Sequence, residues 1–215
     1  VKTALIYHER RFDLALSTYG EQSLDVALAR EEIAVSFGVT GDYGSAEEQL
    51  TKAVEYYDVN HAGHHKNLIS LYLNLGLLNW KKGENKRAVG LLRKSIGIYN
   101  ALEDKKGLSN FISGSLETLG TIYLELMNPE SAQLYLKEAL RLKLKVLDPT
   151  NPGLASIYTK LGTALEESEE DEEALVAYRK AMELIDTSIG SESPELAYPC
   201  LLYTSDAADE SVSVV

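Results

Sequence analysis

The sequence predicts an all-α protein, a solenoid built from pairs of antiparallel helices. The chain of 215 residues contains four units that align on one another at separations of 42, 44 and 42 residues. Within each unit, apolar residues recur at the three- and four-residue spacing of an amphipathic helix. Internal repeats of such length are typical of arrays in which each helix pair buries its apolar face against the next pair.

Small residues set the register of the units. One position of the repeat holds a large apolar residue followed by a small one. The pairs are Ile33-Ala34, Leu75-Gly76, Leu119-Gly120 and Leu161-Gly162. Two further positions, seven residues apart, hold Ala46 and Ala53, Ala88 and Ser95, Ala132 and Ala139, and Ala174 and Ala181. A larger side chain at these positions would push two helices apart. We therefore predict that they lie where paired helices come closest.

Turn residues separate the two helices of a unit. They are Gly41-Asp42-Tyr43-Gly44, Gly83-Glu84-Asn85 and Asn128-Pro129-Glu130. Pro129 suits the first position of a helix, where the missing N–H costs nothing. Pro152 and Pro194 follow the capping residues Asn151 and Ser193 at the same 42-residue separation, so each is predicted to open a new unit.

The pattern resembles the tetratricopeptide repeat, in which Leu-Gly, an aromatic residue and two alanines stand at fixed offsets. Tyr123 and Phe37 supply the aromatic residue. The period exceeds the usual length of about 34 residues and, with its Pro-x-x-Ala opening, looks like kinesin light chain or nephrocystin-like arrays. Residues 99–120 lean instead toward the long repeats of cell-polarity adaptors. The resemblance covers roughly Ala29 to Ala197 and implies a right-handed superhelix whose first helices line a concave groove.

Seven segments are predicted. They are an incomplete helical repeat (1–25), four repeats (26–65, 66–108, 109–151 and 152–192), the start of a truncated repeat (193–199) and a tail (200–215). In the first segment, Thr3 to Glu9 and Phe12 to Leu24 are predicted to belong to two different helices. Because the chain begins at Val1 in helix-like sequence, we expect it to be a fragment.

The tail has a separate explanation. Its sequence "CLLYTSDAADE", from Cys200 to Glu210, resembles an in-frame translation of a transposase-based sequencing adapter. The tail is therefore expected to be a library artefact, as found in metagenomic sequence, with no functional role.

The composition argues against several kinds of partner. A net charge of −12, from 33 acidic and 21 basic residues, repels phosphate backbones and anionic lipid surfaces. We therefore expect no nucleic-acid or membrane partner. A single cysteine provides no disulfide framework, and the sequence contains neither a long apolar run nor a signal peptide. These features predict a cytoplasmic protein.

The resemblance places the candidate binding residues on the first helices of the repeats. In chain order they are Glu31, Val35, Leu73, Leu77, Trp80, Lys81, Glu117, Thr121, Leu124, Glu125, Thr159, Thr163, Glu166 and Glu167. They give the expected groove an apolar patch near Trp80 and an acidic end at Glu125, Glu166 and Glu167. A peptide with Lys or Arg beside an apolar anchor would complement both. Two simpler explanations stay open: the carboxylates form a solvated helix face, and Trp80 packs against a neighbouring repeat.

No catalytic motif or cofactor-binding loop is recognisable, so we expect neither an enzyme nor a cofactor. His61, His64 and His65 could ligate a metal, but they lie in a predicted loop without a carboxylate or thiol beside them. Residues 166–174 are acidic but lack the pattern of a calcium loop. The leading hypothesis is a scaffold that binds a peptide or a partner helix. The alternatives are a regulatory or sensor region of a larger multidomain enzyme or signalling protein, and an array that mediates self-association.

Overall fold

The computed structural model describes residues 2–61 and 66–189, and these residues form nine α-helices, one short 3₁₀ helix and no strand. The helices are α1 (Lys2–Tyr19), α2 (Leu24–Thr40), α3 (Tyr43–His61), α4 (Asn67–Lys81), α5 (Asn85–Ala101), α6 (Ser109–Glu125), α7 (Pro129–Lys143), the 3₁₀ helix (Pro152–Leu154), α8 (Ala155–Glu166) and α9 (Asp171–Ile189). The predicted all-α fold class is confirmed.

The chain divides into two compact units, residues 1–118 and 119–215. In the first unit, each helix from α1 to α4 packs on the next one along the chain. In the second unit, α7 packs on α8 and α8 packs on α9. Helices that follow one another in the chain therefore pack against each other, as expected for repeated helix pairs. The predicted repeat boundaries at residues 26, 66, 109 and 152 stay a prediction.

The core of the first unit forms where α2, α3 and α4 meet. Its buried residues are Ala27, Ala34, Ala46, Leu50, Ala53, Val54, Tyr57, Leu68, Leu71, Tyr72, Leu75 and Leu78. Three of them, Ala34, Ala46 and Ala53, are the small residues of the first repeat. Their burial agrees with the prediction that small side chains mark the contacts between helices.

Three glycines of the register confirm that prediction most directly. A Cβ atom added at Gly76 would lie 2.7 Å from the side chain of Leu92. The corresponding distances are 2.5 Å from Gly120 to Leu136 and 2.6 Å from Gly162 to Tyr178. Carbon atoms at such separations repel each other strongly, since their optimal distance is about 3.5–4.0 Å. Any larger residue at these positions would therefore force the neighbouring side chain of the paired helix to move.

The turn within each repeat contains one residue in the left-handed backbone region. Gly41 and Gly83 have φ angles of 85° and 79°, and Met127 and Glu169 have φ angles of 53° and 62°. The four positions are separated by 42, 44 and 42 residues, so the same turn recurs in every repeat. Glycine adopts this conformation readily, whereas other L-residues pay about 1–2 kcal/mol. The third and fourth repeats therefore carry strain at Met127 and Glu169.

Replacing Met127 or Glu169 by glycine is expected to stabilise the protein by about 0.5–1 kcal/mol, because relief of the left-handed strain exceeds the added flexibility of the unfolded chain. The converse change, Gly83→Ala, should destabilise it by about 1 kcal/mol. Urea unfolding monitored by circular dichroism would measure both effects. A loss of stability in both glycine variants would show that these turns are not strained.

The N-terminal helix corrects one prediction. Thr3 to Glu9 and Phe12 to Leu24 do not belong to two helices, because α1 runs without a break from Lys2 to Tyr19. The two residues expected at the break, Arg10 and Arg11, are good helix formers, and neither glycine nor proline lies near them. The helix ends instead before Gly20, which has a φ angle of 78°.

The connection between α7 and α8 explains part of the long period. The side chain of Asn151 accepts a hydrogen bond of 2.8 Å from the backbone N–H of Gly153, so Asn151 caps the 3₁₀ helix that Pro152 opens. Leu154 at its end is fully buried, with Leu140 and Leu147 packed against the same cluster. The extra residues therefore form a capped connection that is anchored by an apolar side chain.

Some predictions concern residues outside the described ranges. The start of the truncated repeat (193–199), the adapter-like tail (200–215), His64 and His65 all lie there.

Candidate functional site

An apolar groove lies between α2 and α4 in the first unit, with α3 at its base. Its volume is about 250 Å³. We call it the α2–α4 groove, and it is lined by Ala34, Val35, Gly38, Val39, Tyr43, Ala46, Leu50, Asn74, Leu77, Leu78 and Lys81. Val35 and Val39 are 49% and 67% exposed, which is unusual for valine side chains on two successive turns of a helix. The groove therefore presents apolar surface to solvent.

Helix geometry explains why these residues meet. Val35 and Val39 lie four residues apart on α2, and Leu77 and Lys81 lie four residues apart on α4, so each pair shares one helix face. Ala34 on α2 and Ala46 on α3 have small side chains, which leave open space between the two walls. The result is a trough whose walls come from the first helices of two adjacent repeats.

A partly buried carboxylate lies next to the groove, at the end nearer the start of α2. The Oε1 atom of Glu31 accepts a hydrogen bond of 3.3 Å from Nδ2 of Asn74, a residue of the groove lining. Burial raises the pKa of Glu31, while a hydrogen bond from Ser70 lowers it and the neighbouring charge of Glu32 raises it further. This end of the groove therefore carries a carboxylate whose charge is incompletely compensated.

The raised pKa predicts a pH-dependent effect of Glu31→Gln. A carboxyl whose pKa is higher in the folded than in the unfolded state destabilises the fold at neutral pH. This cost shrinks as the pH falls through the folded pKa and is gone below the unfolded pKa. The variant should therefore be more stable than the wild type at neutral pH, by an amount that shrinks on acidification. Urea unfolding at a series of pH values would measure the difference. A difference that is constant with pH would contradict the assignment.

The structure brings together four of the residues predicted for the first unit. The α2–α4 groove is lined by Val35, Leu77 and Lys81, and Glu31 contacts it through Asn74. Leu73 is not part of the groove lining, because it is buried and a Cβ atom added at Gly114 in α6 would lie 3.3 Å from its Cδ2 atom. It contributes instead to the packing of α4 against α6.

Trp80 and Glu117 are both partly buried. Trp80 follows Asn79, which is fully buried, and the ammonium group of Lys81 lies 4.6 Å from the centre of the Trp80 ring. This cation–π contact holds Lys81 at the end of the groove opposite Glu31.

In the second unit, the predicted residues lie along α6 and α8. Thr121, Leu124, Thr159 and Thr163 are partly buried, whereas Glu125, Glu166 and Glu167 are exposed. The hydroxyl groups of Thr159 and Thr163 donate to carbonyl oxygens one turn earlier in α8. Glu166 accepts a hydrogen bond of 2.8 Å from the hydroxyl of Tyr178. The unit thus presents exposed carboxylates, one of which a tyrosine orients.

Sequence reasoning missed Gly38, Val39, Tyr43 and Asn74 as groove residues. The repeat register could have identified Gly38 as a groove residue, because it lies 42 residues before Trp80, which was predicted to line the groove. Tyr43 could not be identified without knowing the path of the turn between α2 and α3.

Metal-binding clusters and membrane-spanning helices are both absent from the described ranges. No three His, Cys, Asp or Glu side chains there are placed to hold a metal ion. In the same residues, no helix combines the length and apolar character needed to cross a bilayer.

Comparison with known proteins gives a clear family match. The family model of the tetratricopeptide repeat matches residues 25–101 and 112–186. No curated protein sequence matches the chain significantly.

Several solved structures are similar in fold. BtubC (BKLC) from P. vanneervenii has a TM-score of 0.73 and 17% identity, over 88% of this chain and 76% of that one. A Podosopora anserina protein, described as a kinesin light chain with nearly identical TPR-like repeats, has a TM-score of 0.66 and 17% identity, over 88% of this chain and 89% of that one. MamA has a TM-score of 0.60 and 18% identity, over 83% of this chain and 86% of that one. At these identities the similarity concerns the fold alone.

Proposed function

Because the chain belongs to the tetratricopeptide-repeat family, whose repeats are generally protein-interaction scaffolds, we propose that it binds a peptide or a partner helix in the α2–α4 groove. The observation that supports this most is the pair of exposed valines, Val35 and Val39, beside an apolar trough of about 250 Å³. Apolar pockets that receive an anchor side chain typically supply most of the energy of an interface.

The exposed carboxylates of the second unit favour a partner that carries basic residues. Glu125, Glu166 and Glu167 would attract Lys or Arg side chains, and the chain's net charge of −12 would favour a basic partner. We therefore propose a ligand that combines an apolar anchor with basic residues. The absence of a disulfide framework, with a single cysteine in the sequence, favours a cytoplasmic setting.

Peptides selected from a random display library on the wild-type protein would test the groove. Their affinities would be measured by calorimetry for the wild type and for Val39→Asp, which places a charge on the apolar wall. We expect at least about tenfold weaker binding to this variant, because an unpaired carboxylate in an apolar contact loses its hydration. Val146→Asp is the matched control, since Val146 is also exposed but lies in the loop after α7. Selected peptides that bind Val39→Asp as tightly as the wild type would contradict the proposal.

The charge preference has its own test. Glu125→Lys combined with Glu167→Lys should weaken binding of the basic members of the selected set and make their binding less sensitive to salt. Glu166 is left unchanged because of its bond to Tyr178. Unchanged binding of the basic peptides to the double variant would contradict the acidic contact without affecting the groove.

A further inference from the structure

Gly38 occupies a repeat position that holds a side chain in the other three repeats. The residues 42, 86 and 128 positions later are Trp80, Leu124 and Glu166. All four follow the small residue of the register by four positions, and therefore lie one turn further along the first helix. Only the first of these repeats lacks a side chain there.

The missing side chain opens the α2–α4 groove. A Cβ atom added at Gly38 would meet no atom within 4 Å, and the backbone of Gly38 has no left-handed φ angle that would require glycine. This distinguishes Gly38 from Gly76, Gly120 and Gly162, where a neighbouring side chain fills the space. Neither helix packing nor turn geometry therefore requires glycine at position 38, and unlike the equally open Gly97 it lines the α2–α4 groove.

We propose that a single large apolar side chain of the ligand fills the space beside Gly38, with a cationic group next to it at the Glu31 end of the groove. This inference rests on the proposed function and specifies the ligand that the groove accepts. Trp80 and Leu124 show the size of side chain that the repeat takes at the corresponding position.

The charges at the two ends of the groove determine where the cation binds. Glu31 lies at one end through its bond to Asn74, whereas Lys81 lines the other end. Glu31 and Val39 are eight residues apart on α2, which separates the ends by about 12 Å along the helix. A cationic group is attracted to Glu31 and repelled by Lys81, so it is expected beside Glu31.

The inference can be tested with defined probes and the full chain. The probes are the capped peptides Ser-Lys-X-Gly-Ser with leucine, tryptophan or alanine at X, titrated into labelled protein and monitored by NMR. We expect the leucine and tryptophan peptides to bind at least tenfold more tightly than the alanine peptide. Replacing their lysine by glutamate should weaken binding to the wild type, and this difference should shrink in Glu31→Gln.

Variants at Gly38 provide the decisive comparison. Gly38→Trp should fill the groove and weaken the leucine peptide at least tenfold, whereas Gly38→Ala should leave its binding within threefold of the wild type. Gly97→Trp is the matched control, because Gly97 lies on α5 and a Cβ there also meets no atom within 4 Å. Thermal unfolding would confirm that each variant is folded, and Gly38→Leu serves as a second filling variant.

The outcomes separate this inference from the proposed function. Equal binding of the leucine and alanine peptides, no binding of any probe, or unchanged binding to folded Gly38→Trp and Gly38→Leu would overturn the inference. If Val39→Asp still weakens the library-selected peptides, the proposed function stands without it. If the selected peptides bind the Val39 and Gly38 variants as tightly as the wild type, both proposals fail.

Discussion

Gly120→Val is expected to lower the free energy of unfolding by about 3 kcal/mol, because overpacking of a close helix contact costs about 1–3 kcal/mol and valine adds two further carbons beyond Cβ. The added Cβ atom alone would lie 2.5 Å from Cγ and 2.8 Å from Cδ2 of Leu136. Leu136 is fully buried and belongs to α7, so it has little room to move. Urea unfolding monitored by circular dichroism would measure the loss.

Two further variants identify the cause of that loss. Gly97→Val adds the same side chain to an open position of α5, and should change stability by no more than about 0.5 kcal/mol. Combining Gly120→Val with Leu136→Ala should cost less than the sum of the single changes, by about 0.5–3 kcal/mol, because the smaller side chain makes room for the larger one. Strict additivity would show that Leu136 is not the residue that excludes a side chain at position 120.

Leu154→Ala is expected to cost about 2–5 kcal/mol, the range measured when a buried leucine is truncated and its cavity only partly collapses. Leu154 is fully buried, and Ala155 and Leu184 complete the buried part of its cluster. The side chain thus anchors the connection before α8 to the last helix of the same unit. Thermal and urea unfolding would measure the loss.

Leu134→Ala is the matched control for this change. Leu134 is 66% exposed on α7, so its truncation should alter stability by no more than about 0.5 kcal/mol. Similar small effects of the two substitutions would contradict the view that the additional residues of the long period dock through Leu154.

Much of the fold could be predicted from the sequence because small residues and turn residues leave a signal at fixed spacing. Gly76, Gly120 and Gly162 indicated the close helix contacts, and Asn151 indicated the cap of the last connection. The left-handed turns at Met127 and Glu169 could not be predicted, since neither residue type favours that conformation. They adopt it because the surrounding helix pair fixes the turn, which overrides the local preference.

The candidate site was less accessible to sequence reasoning. Leu77, Lys81 and Glu31 were identified because they lie on first helices at helical spacing. Leu73 was assigned to the same surface, although it is buried and its side chain lies close to Gly114, a residue 41 positions later. Which face of α4 is covered depends on the next helix, and no periodicity within α4 itself contains that information.

The most direct test of the central claim, that the α2–α4 groove is the ligand-binding surface, is methyl NMR of the full chain titrated with a library-selected peptide. The methyl groups of Val35, Val39 and Leu77 should show the largest shift changes, and should show nuclear Overhauser contacts to the apolar anchor of the peptide. Shift changes confined to exposed methyl groups elsewhere, such as those of Val59, Val146 and Val176, with Val35, Val39 and Leu77 unperturbed at saturation, would contradict the claim.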